Sequence, residues 1–293
     1  MSIQIKAVSL TNANYAEYRD LIPSMTKLQN LEAFKQSEIT EIPADLPDSL
    51  KEINITETGL REIRALPNWL EYLYCQKNQI ECLPERMPRS LRVLNCSDNQ
   101  LLRLPQLPQT IKILYCFGNP LAEVPKWFPD SLTMLDISGC GITELPARLP
   151  KSLSKLKCSD NKLVRLPVLP SELNSLDCSN NQLVELPVLP PKLIVVDAEN
   201  NMLSVFDFTC VRANMSIRLG GNQELPEYKR PLTLRTNIEY NIELTHRTIW
   251  LRRMGMMKSD LIDNSHRICY SPSRIARLIT SGEFDITELS GDL

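Results

Sequence analysis

The sequence predicts a β-rich solenoid, in which one short unit is stacked many times along a single axis. Three observations support this prediction. Most of the 21 prolines fall between Pro43 and Pro191, where they follow leucine at regular intervals. Apolar residues recur with the same spacing of 20 or 21 residues, and an asparagine returns at one fixed place in most units. Such self-similarity at a fixed period is typical of repeat architectures.

Length and composition allow one elongated domain and argue against several kinds of partner. The chain has 293 residues and is 43% hydrophobic, which is enough to bury a large core. A formal net charge of −2 gives no long-range attraction for nucleic acid, so we expect no nucleic-acid partner. No apolar run reaches the ~18–20 residues of a spanning helix. The first residues lack the pattern of a Sec signal peptide, and the nine cysteines are an odd number, so we expect a reducing compartment.

The repeat itself follows the pattern L-x-x-L-x-[CIA]-x-x-N-x-L-x-x-L-P-x-L-P. Clear copies are SLRVLNCSDNQLLRLPQLPQ from Ser90, SLSKLKCSDNKLVRLPVLPS from Ser152 and ELNSLDCSNNQLVELPVLPP from Glu172. Degenerate copies begin at Leu31 and Ser216, as expected of terminal repeats. Eight clear repeats carry the first leucine position, at Leu50, Leu70, Leu91, Ile111, Leu132, Leu153, Leu173 and Leu193.

Each part of the unit has a physical reason. L-x-x-L-x-C contains the period-2 spacing of a short strand that points Leu and Cys inward. The asparagine side chain can bond the backbone of the neighbouring turn, and the Leu-Pro return favours extended chain over helix. The asparagines are Asn78, Asn99, Asn119, Asn161, Asn181, Asn201 and Asn222. A wide strand side and a thin return side curve the stack, so we predict a leucine-rich-repeat horseshoe with a parallel concave sheet and a non-helical convex side.

Both ends of the chain are interpreted as caps, which gives three segments. Residues 1–30 form an N-terminal helical cap with a helix from Asn12 to Ile22 that Pro23 ends, and residues 31–226 form the solenoid. Residues 227–293 form a helical C-terminal cap and an acidic tail, in which ELTHRTIWLRRMGMMK predicts an amphipathic helix and SRIARLIT a second helix. Packing against the last repeat is the favoured role of the basic amphipathic helix. Docking on an anionic membrane is the alternative.

These repeats resemble the leucine-rich-repeat effectors of Gram-negative bacteria, whose units end in the same Leu-Pro return. The resemblance covers roughly residues 28–226. It implies a secreted virulence protein that binds a host protein in the host cytoplasm. The last residues, SGEFDITELSGDL, resemble type IV secretion signals, so we expect type IV or type III secretion, and we expect a monomer. Some members add a ubiquitin-ligase domain with a Cys-x-Asp nucleophile. Here only about 67 residues follow the repeats and Cys269 is their sole cysteine, so that activity does not carry over.

The remaining chemistry points away from catalysis and from metal binding. Cys75, Cys96, Cys116, Cys158 and Cys178 share the inward strand position, so we interpret them as core residues. Cys140 occupies an asparagine position, whereas Cys82, Cys210 and Cys269 lie outside the column and are expected to be exposed. Without CxxC pairs or phosphate-binding, hydrolase or zinc-protease motifs, we expect no metal, no cofactor and no catalytic residue.

The candidate binding site is the set of outward strand residues on the concave face. An apolar and aromatic group lies toward the N-terminal half and a charged group follows it, which is the pattern of interface anchors with a polar flank. Simple pairing of strand-forming side chains is the alternative. The register also places Thr56, Ser97 and Ser159 outward. The predicted partner-binding residues are Tyr72, Tyr74, Val93, Asn95, Ile113, Tyr115, Phe117, Met134, Asp136, Lys155, Lys157, Asp177, Asp197 and Glu199.

The sequence therefore predicts a protein-binding module and not an enzyme. Two alternatives remain open. The chain is a non-catalytic relative or fragment of an effector ubiquitin ligase or carries an enzyme in an unrecognised C-terminal module, or it is a scaffold or adhesin at the bacterial surface. The absent signal peptide and the buried, odd-numbered cysteines count against the scaffold or adhesin.

Overall fold

The structure is a computed structural model that describes residues 5–206, 211, 214–223 and 225. By its internal contacts the chain separates into two units, residues 1–206 with 217–229 and residues 207–216 with 230–293, and the description below concerns the first. The predicted C-terminal helices, the acidic tail, Cys210 and Cys269 all lie outside the described residues.

One parallel sheet runs through the described chain, with eleven strands of three residues in strictly sequential order. A helix, α1 (Tyr15–Arg19), and a 3-10 helix (Ile22–Ser24) lie between the first two strands. The strands are β1 (Ala7–Ser9), β2 (Asn30–Glu32), β3 (Glu52–Asn54), β4 (Tyr72–Tyr74), β5 (Val93–Asn95), β6 (Ile113–Tyr115), β7 (Met134–Asp136), β8 (Lys155–Lys157), β9 (Ser175–Asp177), β10 (Val195–Asp197) and β11 (Ser216–Arg218).

The predicted fold class is confirmed. Both helical segments precede β2, so among the described residues the return segments between later strands carry no helix. None of the described helices is long and apolar enough to cross a membrane. The prolines explain the thin return side, because they hold φ near its extended value and remove the backbone donor that a helix needs.

Packing follows the period-2 pattern of each strand. The central residue is fully buried in nearly every strand, and partners such as Ile53 and Leu73 or Leu114 and Leu135 lie directly opposite each other. Two residues after each central one comes the cysteine column, where Cys75, Cys96, Cys116, Cys158 and Cys178 are all fully buried, as predicted. The core is therefore a set of identical layers, each contributing a strand residue and its return leucines.

The asparagine ladder is the polar part of that core. In the most regular repeats the side-chain amide of Asn161 donates to the carbonyls of Ile137 (2.9 Å), Cys158 (3.1 Å) and Ser159 (3.0 Å). Its Oδ1 accepts the N–H groups of Cys140 (3.0 Å) and Ile142 (3.1 Å) in the preceding repeat. The equivalent asparagines donate to the same three carbonyl positions, and most accept a single N–H, that of the residue equivalent to Ile142. The ladder therefore satisfies backbone groups that stacking would otherwise bury unpaired.

Cys140 shows how the ladder tolerates one exception. Its thiol donates to the carbonyl of Cys116 (3.3 Å) and lies 3.5 Å from that of Ser138. A thiol cannot replace the amide oxygen for the preceding repeat, and there the Leu121 N–H instead donates to the carbonyl of Asn119 at 2.9 Å. A single cysteine therefore fits because the neighbouring turn rearranges its own hydrogen bond.

The N-terminal segment differs from the predicted helix of residues 12–22. The helix is shorter, Tyr15–Arg19, and the 3-10 helix takes in Pro23. Before them β1 adds a strand, which the sequence analysis did not anticipate, and pairs with β2 in register. The signal was a short alternation, since Val8 and Leu10 are buried between exposed neighbours and the Leu10 N–H donates to the carbonyl of Glu32 at 2.6 Å.

Candidate partner-binding face

The concave face is a grid of side chains, because in-register parallel strands place equivalent residues side by side. Three positions of each repeat point to this face: the first residue of the strand, the third residue of the strand, and the residue two places after the strand. We call them the first, second and third rows. The sheet pairings place Tyr72, Val93, Ile113 and Met134 together in the first row. Tyr74, Asn95, Tyr115 and Asp136 follow in the second row.

The structure brings the predicted apolar residues together in one patch. We define the aromatic surface as Tyr72, Tyr74, Val93, Ile113, Tyr115, Phe117 and Met134. Each of these side chains is half-buried, so one part packs against the sheet while the rest stays accessible. A half-buried aromatic ring on a rigid element loses little conformational freedom on binding, which is a property of interface anchors.

Asp136 lies on this face but is buried to 6% exposure, so it does not act as a simple exposed contact. Its Oδ1 accepts the Ser138 N–H at 3.2 Å, and Oδ2 lies 3.9 Å from the Lys157 ammonium. The same correction applies to other positions that the register had turned outward, since Thr56, Ser97 and Ser159 are also buried. Thr56 and Ser97 lie at the third row between the larger side chains of Phe34, Gln76 and Phe117.

Asp136 belongs to a second polar column, which the sequence analysis missed. At five second-row positions an Asn or Asp side-chain oxygen accepts the N–H two residues later, at distances of 3.2 or 3.3 Å. These residues are Asn54, Asn95, Asp136, Asp177 and Asp197. The signal was Asn or Asp two places before Ser, Thr or Glu, the spacing of a local Asx turn. Part of each of these side chains is therefore structural.

The charged half of the face contains both signs. Lys155 and Lys157 are exposed, as expected for partner contacts. Asp177 and Glu199 are half-buried, and Asp197 pairs with Arg218 at 3.2 Å. Arg218 was missed because its repeat is degenerate. Alternating charges on a solvated surface contribute orientation and association rate more than affinity.

The sheet also extends the face at its N-terminal end. Glu32 and Phe34 of the β2 repeat occupy the second and third rows, and Phe34 is 44% exposed. The Lys35 ammonium lies 5.2 Å from the centre of the Phe34 ring, within cation–π range. The spacing of Leu31 and Ala33 matches that of Leu73 and Cys75, so the sequence did contain the signal.

The aromatic surface also has a distinctive electrostatic setting. Burial raises the pKa of Tyr74, and the neighbouring Glu52, Tyr72 and Tyr115 raise that pKa further. The Tyr74 phenol therefore stays protonated through the neutral range and remains a hydrogen-bond donor. The local field at this point of the sheet opposes any added negative charge.

Other kinds of site are poorly supported in the described part of the chain. No group of three or more His, Cys, Asp or Glu residues there could hold a metal ion. Burial raises the pKa of the Cys75 thiol to about 12 and that of Cys140 to about 11, so neither is an activated nucleophile. Two open cavities of about 280 and 230 Å³ flank Trp127 on the return side. They are smaller than most small-molecule sites, which leaves the concave face as the best candidate.

Comparisons with known proteins agree with this architecture. No family model matches the chain, and no curated protein matches it. Among solved structures, the leucine-rich effector protein YopM from Yersinia pestis is 32% identical, with a TM-score of 0.62 over 68% of this chain and 55% of that chain. This chain thus spans about half the length of the YopM chain.

Two further structures share the fold at lower identity. The functional domain of InlJ from Listeria monocytogenes, which includes a cysteine ladder, is 23% identical, with a TM-score of 0.55 over 71% of this chain and 52% of that chain. The leucine-rich repeat domain of APL1B is 19% identical, with a TM-score of 0.58 over 70% of this chain and 68% of that chain. The sequential parallel sheet, the asparagine ladder and these neighbours together show that the chain has the leucine-rich-repeat fold.

Proposed function

We propose that this protein binds a partner protein on its concave face, with the aromatic surface as the main contact. The observation that carries the proposal is the position of Tyr72, Tyr74, Tyr115 and Phe117, which lie half-buried on neighbouring strands of one sheet. Core packing does not require such residues there, because the same rows carry Ser, Asp and Lys in β8 and β9.

The scaffold suits this role because it holds the aromatic rings in fixed positions. The ladder amides of Asn99 and Asn119 clamp the turns that follow β5 and β6, each through three donated hydrogen bonds. A preorganised surface spends little free energy on ordering itself when a partner arrives. Solenoids commonly bind through such extended concave surfaces, and their repeats leave the target to the variable outward residues.

The partner and its location extend this proposal. Similarity to the YopM effector supports a secreted bacterial effector that reaches the host cytoplasm by type III or type IV secretion and binds a host protein there. We also propose that it acts as a monomer and that residues 1–30 and 227–293 serve as caps on the repeats of 31–226. A purely binding role needs no catalytic residue.

The decisive experiment compares two pairs of substitutions in the intact chain. Tyr74→Ala with Tyr115→Ala removes two central rings, and Asp177→Asn with Asp197→Asn removes two charges from the other half. Asparagine keeps the oxygen that caps Ser179 and Glu199, as Asn54 and Asn95 do at equivalent positions. Proteins captured from eukaryotic cell lysate are quantified for each variant, and the best candidate is then purified and titrated directly.

The expected result is loss of a specific partner with the tyrosine pair and retention with the aspartate pair. Losing a central anchor typically costs ~2 kcal/mol or more, which is about a thirty-fold loss of affinity. The aspartate pair should change mainly the salt dependence and the association rate. If the tyrosine pair binds the purified partner as tightly as the native chain, the aromatic surface is not the binding site.

A further inference from the structure

Strand β5 forms the floor of a trough within the aromatic surface. Its concave residues Val93, Asn95 and Ser97 are smaller than their counterparts on both sides. β4 supplies one wall and β6 the other, and the pairings set them directly against the floor. The wall residues are Tyr72, Tyr74 and Gln76 on β4 and Ile113, Tyr115 and Phe117 on β6.

The width of the trough suits one flat side chain. The backbones of β4 and β6 lie about 10 Å apart, since adjacent strands are separated by ~4.8 Å. Inward curvature brings side chains on a concave face closer together than their backbones. A planar group in van der Waals contact with a ring on each side needs about 7–8 Å between the rings. The register places Tyr74 and Tyr115 on either side of Asn95 in the second row.

Unpartnered polar atoms line one end of the trough. Gln76 Oε1 and Ser97 Oγ are buried and have no hydrogen-bond partner, and neither does Ser138 Oγ on the far side of Phe117. Ser97 is fully buried. A buried acceptor without a donor costs free energy, so a ligand that supplies N–H groups here gains more than it would at a satisfied surface.

The charged residues around the trough favour a ligand whose N–H donors carry a positive charge. The concave rows of β2 to β7 contain Glu32, Glu52 and Asp136 and no Lys or Arg. Lys51 and Arg92 immediately precede β3 and β5, outside the three rows, and both pair with Glu71, at 3.4 and 3.3 Å. Lys35, Lys77 and Lys112 also lie outside the rows, and the first basic residues within the rows are Lys155 and Lys157 of β8, where Lys157 lies 3.9 Å from Asp136.

We propose that the trough binds an arginine side chain of the partner protein, stacked between Tyr74 and Tyr115. A guanidinium is planar, carries five N–H donors and stacks well on aromatic faces, whereas a lysine ammonium is a strongly hydrated point charge. The Gln76 and Ser97 oxygens at the end of the trough are closed to solvent, so the guanidinium donors reach them only when the Gln76 side chain turns outward. This inference rests on the proposed function, because it names the chemistry of the partner on the same surface.

The test uses peptides selected from a random peptide library against the intact chain. Selected peptides are then titrated against the native protein, Tyr74→Ala with Tyr115→Ala, Asn95→Arg and Ser175→Arg. Asn95→Arg fills the trough with the protein's own guanidinium, at a position where β8 already accommodates Lys157. Ser175→Arg adds the same charge on β9 and serves as the matched control. Thermal unfolding midpoints confirm that every variant is folded.

The expected peptides contain arginine beside apolar residues. Their binding weakens about ten-fold or more with Asn95→Arg and with replacement of the peptide arginine by alanine, less with replacement by lysine, and hardly with Ser175→Arg. Peptides that need the two tyrosines but tolerate loss of their basic residue overturn the arginine proposal and leave the proposed function standing. Peptides that are indifferent to the tyrosine pair contradict both, and a selection without any peptide sensitive to Asn95→Arg contradicts the trough.

Discussion

Replacing Asn161 by leucine tests the ladder that holds the binding face. The substitution removes the acceptor of the Cys140 and Ile142 N–H groups and the donor to three carbonyls, all in a residue that is 8% exposed. An orphaned buried donor costs about 1–3 kcal/mol, and the leucine returns part of this through apolar burial. Two donors, those of Cys140 and Ile142, are orphaned at about 1–3 kcal/mol each, and after the gain from leucine burial the expected loss is about 2–4 kcal/mol of unfolding free energy.

The assay is urea unfolding followed by circular dichroism. A loss of ~3 kcal/mol divided by a slope of ~3 kcal/mol/M shifts the midpoint by about 1 M. Gln182→Leu is the matched control, because it also replaces an amide side chain by leucine, but at an exposed position in the next repeat. Asn161→Cys should fall between the two, since the Cys140 thiol still bonds the carbonyl of Cys116 in the preceding repeat and that of Ser138 in its own. Equal midpoints for Asn161→Leu and native protein refute the ladder argument.

Four further predictions concern backbone strain and the thiols. Gly59→Ala should destabilise more than Gly141→Ala, because both have positive φ but only at Gly59 does a new Cβ fall 3.0 Å from a backbone oxygen, that of Ser37 in the preceding repeat; the two unfolding midpoints decide this. Among the described thiols only exposed Cys82 should react with a maleimide at pH 8, and rapid labelling of Cys75 in folded protein would contradict the buried column. Because burial raises the Cys75 pKa from 9.0 to about 12, the unfolded state loses this proton first, so stability should fall as pH rises through that window. Cys158→Ala should cost about 1 kcal/mol through lost packing and leave binding and metal content unchanged, and stoichiometric zinc in the native protein would contradict this.

Much of the fold could be predicted because each repeat must bury the same groups in the same way. The inward column from Cys75 to Cys178 and the ladder asparagines lie where the alignment placed them. The N-terminal strand could not be predicted this way, since Ala7–Ser9 has no repeat pattern of its own. Its place in the sheet depends on the edge that β2 offers, which is a tertiary property.

The sequence predicted which side chains turn toward the candidate face but not how deeply each of them is buried. Register alone fixed which side Tyr74, Asn95 and Tyr115 occupy. Whether an outward side chain stays accessible depends on the sizes of its neighbours in adjacent repeats, which lie about 20 residues away in sequence. Asp136 and Ser97 are buried for this reason, although the register turns them outward.

The two polar columns explain why the binding residues stand out from the rest of the face. The ladder asparagines and the second-row Asx residues both satisfy backbone groups, so selection for stability alone favours Asn or Asp at the second row. Tyr74, Tyr115 and Lys157 give up that local hydrogen bond at the same row. Acidic Glu32 also stands at this row, so loss of the bond does not by itself mark a contact. Tyr74 and Tyr115 are the positions where an aromatic ring replaces the bond on either side of β5, and they are therefore the first residues to test in the proposed interface.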